Sequence, residues 1–479
     1  MMYSRGAASD YDDWNTPGWG SKDLMPLLQK IETYHITPNR EAHGYEGPVN
    51  ISYGDYFAQV ASEYLDVCVS MGIPMVDDIM DLRTGHGCAR LAKYINPNTG
   101  RREDAAHRYI HTQSHNKRLH ILTETLVTRV LFDKNKAIGV EVIGNKNQDS
   151  AADQTPRRII ARKLVVVSSG AIGTPIVLQR SGVGEATRLS KLGVDVVVDL
   201  PGVGANYEDH SSCMIPYHVP DDLETIDPVM EQNKEVLEKY LTQFSYGKGF
   251  LTTNLNDAGS RLRPTAEELK NIGPAFNEVW KRKFEQAPDK AVFVQTILNG
   301  FIGPRTVVPK GSRFMMVANI LAYPASSGHV YITSTDPYSP PDFHAGFVED
   351  QADLEAHVWM YKKSRFPSGS QAACVHLEKA YPQGIEDLVY TKDDDAALED
   401  WVRERSDTTW HSVGSVQMKP KEQGGCVDPR LNVYGAVNLK VADLSILPSN
   451  VGANTNSTAL LIGEKAALII AEDLDLNIP

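Results

Sequence analysis

At 479 residues and 42 % hydrophobic content, the chain is long enough for two or three domains with cores of their own. A formal charge of −13 and a pI of about 5.6 argue against nucleic acid and anionic membrane as partners. Five scattered cysteines without a CxxC pair argue against a disulfide scaffold or zinc knuckle, and no apolar run reaches the roughly 18 residues that cross a bilayer, which points to a reducing, intracellular setting.

The first stretch, "MMYSRGAASDYDDW" (1–14), has neither a basic start with an apolar run nor the alternation of a strand, so it reads as an ordered loop and not as a signal peptide. "SKDLMPLLQKIETY" (21–34) has helical spacing with Ser21 or Asp23 as cap, and "YFAQVASEYLDVCVSMG" (56–72) repeats apolar residues at three and four. "EDAAHRYIHTQSHN" (103–116) is expected as a helix carrying His107, His111 and His115 on one face. With no HExxH glutamate and no carboxylate in register, that face reads as structural, and no metal site is expected there. "LHILTETLVTRVLFD" (119–133) alternates like strands, with "AIGVEVIG" (137–144) as hairpin partner and "NKNQDSAADQTPRR" as a surface loop.

"KLVVVSSGAIGTPIVLQRSG" (163–182) is an all-apolar strand, a glycine-containing turn and a helix, one half of a doubly wound unit covered on both faces, and its helix start is a natural anion site. "LPGVGANYEDH" (200–210) lacks a third glycine and a following helix, so it is expected as a tight loop and not as a dinucleotide fingerprint. Residues 215–420 mix polar helices with strand-like pieces, an antiparallel sheet with helices on one face. The tail from Leu439 returns to strand, turn and a buried helix that includes "ALLIGEKAALIIA" (459–471). The fold class is therefore α/β plus α+β: a Rossmann-like sheet domain interrupted by an antiparallel-sheet domain built for binding. The expected boundaries are 1–99 for a connecting region, 100–214 with 428–479 for the interrupted sheet domain, and 215–427 for the inserted domain.

In "TTWHSVGSVQ" (408–417), His411 sits between an indole and small residues, where backbone can approach a planar ligand. "PSNVGANTNSTALLIGEKAA" (448–467) presents side-chain amides on a turn just ahead of a helix. A histidine base with an amide donor is the equipment for taking a proton from an alcohol.

These residues resemble the glucose–methanol–choline (GMC) flavoprotein oxidoreductases, and within them the fungal alcohol oxidase branch. The resemblance rests on "HGYEGPVNIS" (43–52), "SSGAIGTPIVLQRSGVG" (168–184), "LPGVGANYEDH", "WHSVG" (410–414) and "VDPRLNVYGAVNLKVADLSILPSNVGANTNSTALLIGEKAA" (427–467), and runs over nearly the whole chain. "MMYSRGAASDYDDW" is similar to the end of the family's first signature, the loop over the flavin. The strand, GxGxxG turn, helix and ribose-binding acid that the family places before it are not in this sequence, so the cofactor domain is expected to be incomplete at its N-terminus. A second departure is the run between "YKKSRF" (361–366) and "TTWH", which is shorter than in alcohol oxidases.

The resemblance implies FAD as cofactor, His411 as general base and Asn454 as the second catalytic group. It places Val127, Trp410, Asp443, Asn454 and Thr455 in contact with the cofactor. It implies oxidation of a short primary alcohol to the aldehyde, with O2 reduced to hydrogen peroxide. The alternatives left open are a truncated paralogue or gene-model fragment that does not hold FAD, and a dehydrogenase using another acceptor. A homo-oligomer and a cytoplasmic or peroxisomal location go with the branch, although the C-terminus "DLNIP" is no Ser-Lys-Leu-type signal.

Overall fold

The computed structural model describes residues 2–38, 40–364, 375–376 and 395–476. Most of the run 367–407, expected to be short, lies outside these residues, as does Cys374.

The opening stretch is a buried loop with one helical turn, Ala8–Asp12. Tyr3, Arg5, Asp10 and Tyr11 are all buried. Asp10 holds the loop in place by accepting hydrogen bonds from its own Ala7 N–H at 2.8 Å and from Gly452 N–H at 2.9 Å, 442 positions away. The predicted helices follow as α1 (Ser21–Ile31), capped by Asp23 at its third position, and α2 (Gln59–Ser70).

β1 (Gly87–Arg90) leads to the exposed stretch that carries three histidines. Here the structure corrects the reading: a single π turn, Ala106–Ile110, and a 3-10 turn, His111–Gln113, replace the expected helix. None of their residues is buried, so there is no apolar stripe to stabilise a longer helix. The next strand, β2, spans Thr125–Asp133 and not the full alternating run from Leu119. Among the described residues no strand pairs with 117–124, and its alternating side chains stay exposed. β3 (Lys136–Gly144) is the expected hairpin partner, and β4 (Arg157–Ile160) completes an antiparallel meander.

β5 (Val165–Val167) and α3 (Gly170–Arg180) form the predicted strand–turn–helix. The antiparallel sheet then takes β6 (Ser211–Val219), β7 (Ala258–Leu262), β8 (Phe293–Leu298) and β9 (Arg313–Leu321), in the order β6–β9–β8–β7–β1. Short strands Val375–His376 and Asp407–Thr408 extend the β6 side. Met315 and Val317 of β9 pack with Phe276, Leu354, Trp359 and Tyr361 of the helices on one face, and Phe314 and Met316 pack with Leu298 and Phe301 on the other. The polar helical patterns over 227–244 and 265–286 each break in two: at Gln232–Asn233, where Asn233 caps Lys234–Ser245, and at Gly273, where Pro274 opens the next helix.

β10 (Leu439–Val441) pairs in parallel with β5, and α4 (Asn456–Asp473) closes the described chain. β10 is buried on both faces, β5 on one only. Val165 and Val167 join the core with Leu461 and Ile462 of α4, whereas Val166 is 40 % exposed, so the two-faced covering read from the apolar run is not met.

Candidate active site

The site is assembled by the glycine loop 200–206. Gly204 has φ +90°, and a Cβ there would stand 2.3 Å from the Val330 carbonyl oxygen; a Cβ on Gly202 would meet the Gly424 carbonyl at 2.1 Å. Only glycine allows the chain to pass between these backbones. Beyond the loop, Glu208 N–H and C=O pair with Val413 at 3.1 and 2.8 Å, so residues 207–210 run antiparallel to 411–413. Asp209 and His210 are thereby placed beside His411, about 200 positions later in sequence.

Asp209 accepts the His411 N–H at 2.9 Å with one carboxylate oxygen and the Thr408 hydroxyl with the other. Thr408 Oγ1 in turn accepts the Trp410 N–H at 2.8 Å. This clasp holds Trp410 in the left-handed region, φ +60°, with its indole 80 % exposed. An exposed tryptophan in a backbone conformation disfavoured for its side chain is held there by its surroundings, as residues facing ligands often are.

From the other side comes the 448–455 turn. Asn450 N–H donates to Glu208 Oε2 at 3.0 Å, and Asn450 Nδ2 donates to the His411 carbonyl at 3.4 Å. Asn454 then places its Nδ2 2.9 Å from His411 Nε2. His411 is 7 % exposed, and burial pushes its pKa down to about 4, so the ring is neutral at physiological pH.

His411 and Asn454 are thus brought together, with Trp410 adjacent. Thr455, buried, follows Asn454 and stands at the N-terminus of α4, which has no side-chain cap and no acidic residue in its first turn. Val127 lies half-buried in β2 opposite Val142. Asp443 is committed within the protein: its Oδ2 accepts Gly170 N–H at 3.0 Å and the Thr174 hydroxyl at 2.6 Å, and its Oδ1 accepts Ser445 N–H at 2.7 Å. The anion at the start of α3 is therefore a protein carboxylate, which fastens the two strand–turn–helix units to each other.

The same arrangement tests whether a flavin fits. The uncapped first turn of α4 leaves N–H donors and positive dipole charge beside Asn454, which suits the acceptor-rich, charge-gathering edge of such a ring. The exposed Trp410 indole offers a planar wall next to the base. The residues present fit the group.

The family models of the GMC oxidoreductases match residues 1–212 (N-terminal part) and 324–463 (C-terminal part). The chain belongs to the GMC oxidoreductase family. As a GMC oxidoreductase it is a flavoprotein whose cofactor is FAD. It is 39 % identical to an alcohol oxidase of Candida boidinii over 99 % of this chain and 81 % of that protein, and 39 % identical to one of Pichia angusta over 100 % and 83 %. Among solved structures it matches a FAD-dependent oxidoreductase from Chaetomium thermophilum with a TM-score of 0.85 at 25 % identity, covering 100 % of this chain and 85 % of that one. A formate oxidase of Aspergillus oryzae shares the fold at a TM-score of 0.84 and 23 % identity, covering 99 % and 82 %.

Sequence reasoning missed His210, Asp209 and Thr409 in this GMC site. The available signal was the acid–histidine pair directly after "LPGVGANYE", which the loop's close backbone approaches aim at a fixed point. Among the described residues no helix is long and apolar enough to cross a membrane.

Proposed function

We propose that the chain is a FAD-dependent alcohol oxidase, converting a short primary alcohol and O2 to the aldehyde and hydrogen peroxide. The observation that carries this reading is the 2.9 Å contact between Asn454 Nδ2 and the Nε2 of a buried, neutral His411. FAD, when bound, supplies the two-electron acceptor for the hydride on the carbinol carbon and returns those electrons to O2.

The residues that would hold it are Trp410, Asn454, Thr455 and the first turn of α4, with Val127 on the β2 side. A substrate hydroxyl entering between the two groups donates to His411 Nε2 and accepts from Asn454 Nδ2. As the carbinol carbon gives up its hydride, His411 takes the hydroxyl proton and the Asn454 amide holds the oxygen as it gains charge. Burial serves this chemistry twice: it keeps the imidazole unprotonated and strengthens the amide's grip on the oxygen. The Trp410 indole walls the approach and favours small alcohols. The alcohol oxidases to which the chain is 39 % identical support this choice of substrate class. A soluble enzyme of the cytoplasm or peroxisome, assembling with copies of itself, goes with the same reading.

The test is a purification followed by two assays. The protein is expected to carry flavin absorbance and to release peroxide from methanol or ethanol in air, and His411→Ala is expected to lose about 10²–10⁴-fold in turnover. Dye reduction without peroxide would move the reading to a dehydrogenase. A flavin-loaded protein with no turnover of any small alcohol, or a fully active His411→Ala, would overturn it.

A further inference from the structure

His210 is buried at 1 % exposure, with Nδ1 3.0 Å from His411 Nδ1 and Nε2 without a hydrogen-bond partner. The two rings meet edge to face, their centres 5.1 Å apart. Two facing nitrogens at this distance need one proton between them, since two lone pairs repel and two N–H groups clash.

The surroundings decide which ring carries it. Thr409 settles it: its single hydroxyl proton goes to the His210 carbonyl at 3.0 Å, so its oxygen can only accept from His411 Nδ1, 2.8 Å away. His411 is then protonated at Nδ1, and His210 meets that N–H with an Nδ1 lone pair. The His411 Nδ1–H is shared by two acceptors, and its Nε2 lone pair meets the Asn454 N–H donor. The reverse assignment turns the His411 Nδ1 lone pair against the Thr409 oxygen and its Nε2–H against the Asn454 N–H.

We propose that His210 is a positioning residue that, together with Thr409, holds His411 as the Nδ1–H tautomer and so keeps the Nε2 lone pair on the substrate side. This rests on the reading of His411 as the base. In the proton step the alcohol O–H breaks as a His411 Nε2–H forms. The Nδ1–H stays in place, donating to His210 and Thr409, and His210 remains neutral. The other ionisable groups facing this pair are Asp209, which accepts the His411 N–H and whose carboxyl is pushed up by burial, and Tyr207, whose hydroxyl donates to Asp209 at 3.3 Å.

The full chain labelled with ¹⁵N-histidine tests this by long-range ¹H–¹⁵N correlation, the His411 signals being assigned by their loss in His411→Asn. The wild type is expected to show His411 protonated at Nδ1, with or without flavin. His210→Leu is expected to shift the ring toward the Nε2–H form and to lower kcat about 100-fold, with flavin content and KM unchanged. His210→Asn places an accepting amide oxygen where Nδ1 stood and is expected to restore both the tautomer and most of kcat. A wild-type His411 protonated at Nε2 overturns the proposal, as does a His210→Leu protein with unchanged tautomer and kcat. Should the Leu variant not fold, the wild-type spectrum and His210→Asn decide: loss of the Nδ1–H form in Asn also overturns it. If instead His411→Asn keeps full turnover, the base reading fails while the tautomer result stands apart.

Discussion

His43 of "HGYEGPVN" stands between two carboxylates, with Nδ1 2.8 Å from Glu32 Oε1 and Nε2 2.9 Å from Asp78 Oδ2. Arg5 adds a third contact to Glu32 at 3.1 Å, and the Tyr34 ring lies flat on the imidazole at 3.6 Å. Burial works to lower the His43 pKa, but its hydrogen bonds to Asp78 and Glu32 outweigh this and raise it above the ordinary 6.5. Asp78 moves the other way: burial would raise it, yet His43 holds it below the ordinary 3.8. The His43 contribution is thus complete below pH 6.5 and lost as pH rises through its raised value, and the Asp78 contribution is lost as pH falls through its lowered one. Chemical denaturation of wild type and His43→Leu is expected to differ by about 3–5 kcal/mol between pH 4 and 6.5, with the gap narrowing on the alkaline side. A gap that does not change with pH would show that packing, and not charge, is what His43 contributes. This network, like the His210–His411 contact, was invisible in the sequence because its members come from four separate stretches. His411 and Asn454 were legible because each lies in a local pattern, a histidine among small residues and an amide ahead of a helix, whose chemistry is complementary.

Asp443 shows how a turn residue can set the relation between two elements. Its carboxylate receives the first N–H of α3 and the Thr174 hydroxyl one turn into that helix, while binding Ser445 in its own turn. Asp443→Ala removes an N-terminal cap and leaves these donors unpaired in a half-buried place. We expect a loss of roughly 2 kcal/mol, and about half of that for Asp443→Asn, which keeps one acceptor. Thermal unfolding measures the loss, and a drop in flavin content beyond it would assign Asp443 a direct hold on the cofactor as well. The strand–turn–helix units around Asp443 were readable because an apolar run, a glycine turn and a 3.6-residue repeat occur in order. Helix ends were less so: Gly273–Pro274 and Gln232–Asn233 cut continuous polar patterns with local backbone chemistry that periodicity does not register. The strand expected from Leu119 failed for a different reason. Alternation shows that a segment could pair, but pairing needs a neighbour, and among the described residues no strand meets 117–124.

Several exposed apolar side chains gather between residues 105 and 200. Leu119, Ile121 and Leu122 are 43, 56 and 60 % exposed, and Ile160, Val166 and Ile172 are exposed as well. The antiparallel sheet, by contrast, buries both faces of β8 and nearly all of β9. The sheet therefore has a core of its own, while residues 117–124 present apolar side chains to water. Such segments pair with other chains, because each strand edge carries unmet N–H and C=O groups beside a sticky face. Light scattering of the purified chain is expected to show self-association that rises with concentration and falls clearly in a Leu119→Ser, Ile121→Ser, Leu122→Ser variant. Since none of the three is buried, the substitutions are expected to change unfolding free energy by less than about 0.5 kcal/mol each. If the triple variant associates as strongly as the wild type, the segment takes no part in association. If it is instead strongly destabilised, residues 117–124 pack against the protein in solution, and the alternation read from the sequence reports a paired strand after all.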